Sequence, residues 1–148
     1  MSRPRYACGG PQPLTCSGTR ARHRALLDLR ALPGRAASRL VWVGLDGDEI
    51  VAGHLPEHRK VRNIRNDSRV ALSIETSTRN AMGLNEYLVI YGTARITEVG
   101  AAELLQRLAR TYLGPDIRFP PMHDPPPGYI TRIRVDRVSG VGPWAAQR

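Results

Sequence analysis

Two stretches, residues 69–75 and 129–138, alternate between two faces with a period of two, and with a third, β-rich run they constrain the chain more than any other feature. In residues 69–75, RVALSIE, the residues Val70, Leu72 and Ile74 share one face, which predicts a half-buried strand. Residues 87–97, YLVIYGTARIT, predict a long strand broken at Gly92, where a bulge or sharp bend is expected. Residues 129–138, YITRIRVDRV, place Tyr129, Thr131, Ile133 and Val135 on one face and Arg132, Arg134 and Asp136 on the other. Two further β-rich runs, residues 40–44 and 49–53, flank Asp46-Gly47 and predict a hairpin. Strands with one apolar face need a shared interior, so five of them point to a small antiparallel barrel.

The connections predict two helices outside that barrel. Residues 56–66 suit a short helix with Pro56 at its first position, Glu57 in its first turn and Val61 and Ile64 as its apolar stripe. Thr97 is placed to cap a helix over residues 98–113, in which Ala101, Leu104, Leu105, Leu108 and Tyr112 recur at three- and four-residue steps. Gly114 and Pro115 end it. Residues 76–86 read as a polar loop, and residues 115–128, with six of the twelve prolines, as a stiff wall or lid.

The formal charge of +9 suggests a nucleic-acid or membrane partner until its location is examined. Residues 1–40 hold eight arginines and one acid, Asp28, so +7 of the charge lies there and the remainder is nearly neutral. That stretch holds both cysteines, Cys8 and Cys16, and no Val, Ile, Glu, Lys, Asn or Phe. Residues 1–39 thus read as an atypical basic segment, disordered or translated from a shifted frame, ahead of a cofactor-binding barrel domain over residues 40–148. Residues 20–40 show no alternation, and two barrel strands are expected to be missing there. Apolar stretches of four or five residues exclude a membrane-spanning helix, and two unpatterned cysteines suit a reducing, cytoplasmic compartment.

The segments VWVGLDGDEIV (41–51), HRKVRNIRNDSRVALSIE (58–75), YLVIYGTARI (87–96), LLQRLARTYLG (104–114) and RVSGVGPW (137–144) follow in one order. In that order and spacing they resemble the split β-barrel flavin and deazaflavin oxidoreductases, the pyridoxamine-phosphate-oxidase-like class, and most of all the actinobacterial branch that uses coenzyme F-420. The resemblance implies a mainly β fold with two helices, the FMN-binding split barrel. It implies a homodimer with cofactor sites at the subunit interface, and hydride transfer between F-420, or alternatively FMN, and a small unsaturated substrate. In such enzymes the cofactor carries the chemistry, so no catalytic residue is assigned and the absence of a recognisable triad does not argue against an enzyme. A flavin or deazaflavin carrier without turnover is the alternative, and a nucleic-acid binder using the basic arm ranks below both.

The resemblance assigns the cofactor phosphate to Arg59, Lys60 and Arg62 beside Asn63. Physical chemistry supports it independently, because a helix starting near Pro56 presents backbone N–H groups and its positive dipole end beside Lys60, the single lysine. From the residues alone, Arg59, Arg62, Arg65 and Arg69 serve equally well as a solvated helix face. Gly53 and His54 precede this segment, with Gly53 read as allowing close approach of a ligand. Trp144, after Gly142-Pro143, is placed for a lid over the ring, whereas Trp42 is assigned to the core or barrel wall. His54 and His58 make an HxxxH spacing, but Pro56 between them removes the shared helical face, and no metal site is expected.

Overall fold

In a computed structural model of the protein, which describes residues 24–29 and 37–146, the chain is an antiparallel sheet rolled into a split barrel with two helices. The strands are β1 (Arg24–Leu29), β2 (Ala37–Val41), β3 (Gly44–Asp46), β4 (Glu49–His54), β5 (Arg69–Arg79), β6 (Asn85–Glu98) and β7 (Tyr129–Val141). Helix α1 (Arg59–Asn66) joins β4 to β5, and α2 (Ala101–Tyr112) joins β6 towards β7. The spatial order is β2-β1-β5-β6-β7-β4-β3, with every neighbouring pair antiparallel. Its two edge strands, β2 and β3, are separated in the chain by Trp42 and Val43 alone, which obliges the sheet to curl until its edges meet at that corner.

Alternation decides which residues fill the barrel. Ile50 and Ala52 of β4, Val70, Leu72 and Ile74 of β5, Ile90 and Ala94 of β6 and Ile133 of β7 form the interior, joined by Val41, Val43 and Ile64 of α1. Each of the Val, Leu and Ile side chains among them contributes about 1.5–3 kcal/mol of burial. A second cluster lies outside, where Ala101, Leu104 and Leu108 of α2 cover Val51 and Ile130. Strand β4 is therefore buried on both faces, which its run IVA already reflects.

Several expectations need correction. Strands β1 and β2 exist where none were expected, and β1 pairs on both sides, Leu27 opposite Arg39 and Leu72. Pairing on both edges makes a strand of a segment whose composition alone does not favour one. The composition step at Val41 falls at the end of β2. The remainder of the basic segment, residues 1–23 and 30–36 with Cys8 and Cys16, lies outside the described residues.

The expected loop over residues 76–86 shrinks to Asn80–Leu84, because β5 and β6 continue as a hairpin arm. The Asn80 Oδ1 accepts the N–H groups of Met82 and Leu84, each at 3.0 Å, and closes the tip. Thr97 does not cap α2 but pairs with Ile130 in the sheet. Two residues with positive φ, Val99 (73°) and Gly100 (85°), turn the chain, and the helix begins at Ala101. Carbonyls of the proline loop serve the turn instead of a side-chain cap: Val99 N–H donates to Gly128 O (3.1 Å) and Ala101 N–H to Pro127 O (3.1 Å).

Candidate functional site

Helix α1 starts at Arg59, not Pro56, because His58 donates its N–H back to Pro56 O (2.8 Å) in a preceding turn and stands as an extended N-cap whose side chain does not cap the helix. Glu57 therefore lies outside the helix. Its carboxylate pairs with Arg65, which also bonds Glu98 (2.9 Å) and sits over the Tyr129 ring (5.4 Å). Arg69 grips Asp67 through two bonds (3.0 and 2.7 Å), and this guanidinium holds the Asp67 carboxyl down at about 2. These two arginines are accounted for by local ion pairs, in keeping with a solvated face.

The other cations have a different setting. The first turn of α1 holds no acid, so Arg59, Lys60 and Arg62 stand at the positive end of the helix dipole. Cations there oppose the helix dipole, and a bound anion favours both them and the dipole. Val61 and Ile64, both buried, fix the helix on the barrel. Lys60, next to that anchoring face, is half-buried and lines a cavity of about 220 Å³ with Val41, Trp42, Gly53, Leu105 and Phe119. Arg59 and Arg62 are exposed and Asn63 is half-buried beside them.

Gly53 serves packing. A β-carbon there would stand 2.9 Å from Leu105 Cγ and 3.3 Å from Ala101 O, so the missing side chain lets α2 lie against β4. His54 is sealed rather than open, 4% exposed, with Nε2 at 2.9 Å from the buried Thr131 Oγ1. Burial first, then the charge of Lys60 and of His58, lowers its pKa to about 3, so the ring stays neutral and touches the site only through its neighbours.

Trp42 is not a barrel-interior residue. It stacks on Tyr112 (5.8 Å between ring centroids, 9° between planes) and meets Phe119 edge-on (5.1 Å, 62°), forming one wall of the Lys60 cavity. The proline loop is thus a wall, as its composition suggested, but its contributing residue, Phe119, carried no signal in the sequence. Trp144 lies elsewhere. Its Nε1 donates to Tyr87 O (3.0 Å), at the end of the β6–β7 ribbon opposite the Thr97–Ile130 pair that adjoins Gly53. Tyr87 and Thr97 lie ten positions apart on β6, about 30 Å of strand path at the usual rise. One chain therefore brings Gly53 and Lys60 together and leaves Trp144 apart.

A second cavity of about 300 Å³ lies beneath α2, lined by Asp46, Glu103, Arg107 and Arg132 over Val51, Leu104 and Ile130. Arg132 bonds Asp46 (2.8 Å) and Glu49 (3.3 Å), and that guanidinium holds the Asp46 carboxyl below its ordinary range, so these charges compensate one another. Among the described residues no three His, Cys, Asp or Glu side chains converge to hold a metal, and no helix is long and apolar enough to cross a membrane.

No protein-family model and no curated protein matches the sequence. The fold does have solved counterparts. An F-420 reductase superposes with a TM-score of 0.61 at 21% identity, covering 81% of this chain and 91% of that one. An FAD-binding protein from Mesorhizobium loti gives 0.58 at 16% identity, covering 80% and 84%. A putative pyridoxamine 5'-phosphate oxidase from Listeria innocua gives 0.54 at 14% identity, covering 80% and 87%. The chain has the split β-barrel fold of the pyridoxamine-phosphate-oxidase-like proteins, a mainly β architecture whose solved counterparts include flavin and deazaflavin proteins.

Proposed function

We propose that the protein binds a phosphate-bearing deazaflavin or flavin, F-420 ahead of FMN, and works as an oxidoreductase that moves a hydride to or from a small unsaturated substrate in the cytoplasm. The observation that carries this reading is the acid-free, basic first turn of α1 with Lys60 half-buried at an aromatic-walled cavity. Lys60, with Arg59 and Arg62 at its flank, supplies charge-assisted hydrogen bonds to phosphate oxygens, and the helix start supplies its dipole. The bound cofactor would supply the hydride chemistry.

The cavity fits a phosphate and its nearest substituent rather than a whole cofactor, since about 220 Å³ is below the ~300–1,000 Å³ of a pocket enclosing a drug-sized ligand. The ring system then needs a second surface. A homodimer supplies one, with Trp144 of one protomer covering the ring held at Lys60 of its partner. A stable dimer at micromolar concentration, by light scattering with cofactor present, is expected, and a monomer there removes this arrangement.

Titration of the purified protein with F-420 and FMN tests the binding itself. Lys60→Ala is expected to weaken binding by about 1–3 kcal/mol and Arg62→Ala by less, with unchanged circular dichroism, because each removes a charge-assisted contact from a helix held by Val61 and Ile64. Unchanged affinity in folded Lys60→Ala refutes the site. The carrier reading shares this result and differs in turnover.

A further inference from the structure

The aromatic wall of the Lys60 cavity is held by a chain of contacts that begins on α2. Gln106 clamps the proline loop at two points: its Nε2 donates to Ile117 O (2.8 Å) and its Oε1 accepts the N–H of Phe119 (2.8 Å). The Phe119 ring meets Trp42 edge-on, and Trp42 in turn stacks on Tyr112. Tyr112 is fixed by donating its hydroxyl hydrogen to Val43 O (3.0 Å) and accepting Val43 N–H (3.3 Å). The cavity surface beyond the lysine is then aromatic and aliphatic, from Trp42, Phe119, Leu105 and Val41. Inorganic phosphate held by Lys60 leaves that surface in water. A phosphate carrying a flat apolar substituent covers it, and gains both the burial and the ring contact.

We propose that this site selects phosphate esters with a flat apolar or aromatic substituent over free phosphate, with Phe119 as the specificity-determining residue and Gln106 as the positioning residue that holds it. The proposal rests on the reading of Lys60 as an anion site. Ligand-observed NMR titrations of the full chain with inorganic phosphate and with phenyl phosphate test it. Phenyl phosphate is expected to bind about tenfold more tightly, the equivalent of one good aromatic contact with its buried area. Phe119→Ala is expected to bring the ratio close to one while leaving the affinity for inorganic phosphate unchanged. Gln106→Ala is expected to lower the ratio part of the way, again with phosphate affinity unchanged. Lys60→Ala is expected to weaken both ligands by the same factor. If Phe119→Ala fails to fold, Phe119→Leu, which keeps an apolar side chain without a ring, is expected to lower the ratio as well. Phosphate binding that depends on Lys60, combined with a ratio unmoved by a folded Phe119 variant, overturns the wall and leaves the anion site standing. Binding of both ligands that ignores Lys60→Ala overturns the anion site itself, and the wall with it.

Discussion

Gly92→Ala is expected to lower the unfolding free energy by about 3 kcal/mol, the upper part of the range for overpacking a buried site. Gly92 sits in β6 where the pairing with β7 slips: Tyr91 lies opposite Arg137, Gly92 opposite Val135, and Asp136 is the extra residue. A β-carbon at Gly92 would stand 2.3 Å from Arg134 O and 2.7 Å from Ile133 Cγ2. The first obstacle is backbone within a paired strand, and the second belongs to a side chain that is 1% exposed in the barrel interior, so neither moves without disturbing the sheet. Against a typical total stability of roughly 5–15 kcal/mol, such a loss is easily read from a chemical denaturation midpoint. A variant within about 1 kcal/mol of the wild type contradicts the close packing of β6 on β7 at this bulge.

The same glycine shows what the sequence makes legible. A glycine inside a long β-rich run signals a bend, and the bulge is there, although the added residue lies on the partner strand, which no local pattern reveals. Strands with one dry face announced themselves through Val70, Leu72 and Ile74, and α2 through its stripe from Ala101 to Tyr112. The outer part of the β5–β6 arm did not, because Thr76, Thr78 and Glu86 give it no apolar face to count. Strand β1 was hidden for another reason: it draws its order from partners on both sides, contacts that lie far away in the chain. At the candidate site, Lys60 stood out as the single lysine in a basic run at a helix start. Phe119 and Gln106 gave no signal, since only the packing of the proline loop on α2 brings Phe119 to Trp42. Gly53 was legible as a close approach, but what approaches is Leu105 of α2.

Acidification is expected to destabilise the protein through His54 well before its carboxylates respond. The unfolded chain titrates this histidine at 6.5, whereas in the folded chain burial, with Lys60 and His58 nearby, lowers its pKa to about 3. Between these values the unfolded chain takes up a proton that the folded chain refuses, so the stability present above pH 6.5 falls as the pH drops and levels off below about 3. At ~1.4 kcal/mol per pH unit the loss is on the order of 5 kcal/mol over the whole window. Asp46 and Asp67 are also held below their ordinary value of 3.8, and their contributions are lost only at still lower pH. The interval from pH 6.5 to about 4 therefore isolates the histidine. His54→Gln, which keeps a polar group facing Thr131 Oγ1 and removes the titration, is expected to show a flatter stability profile across that interval in urea unfolding measured at successive pH values. Parallel profiles for wild type and variant contradict a buried neutral His54. A phosphate ligand adds a second check: an anion at Lys60 offsets part of the positive charge that faces the ring, so the profile is expected to shift towards the ordinary histidine value when the ligand is bound.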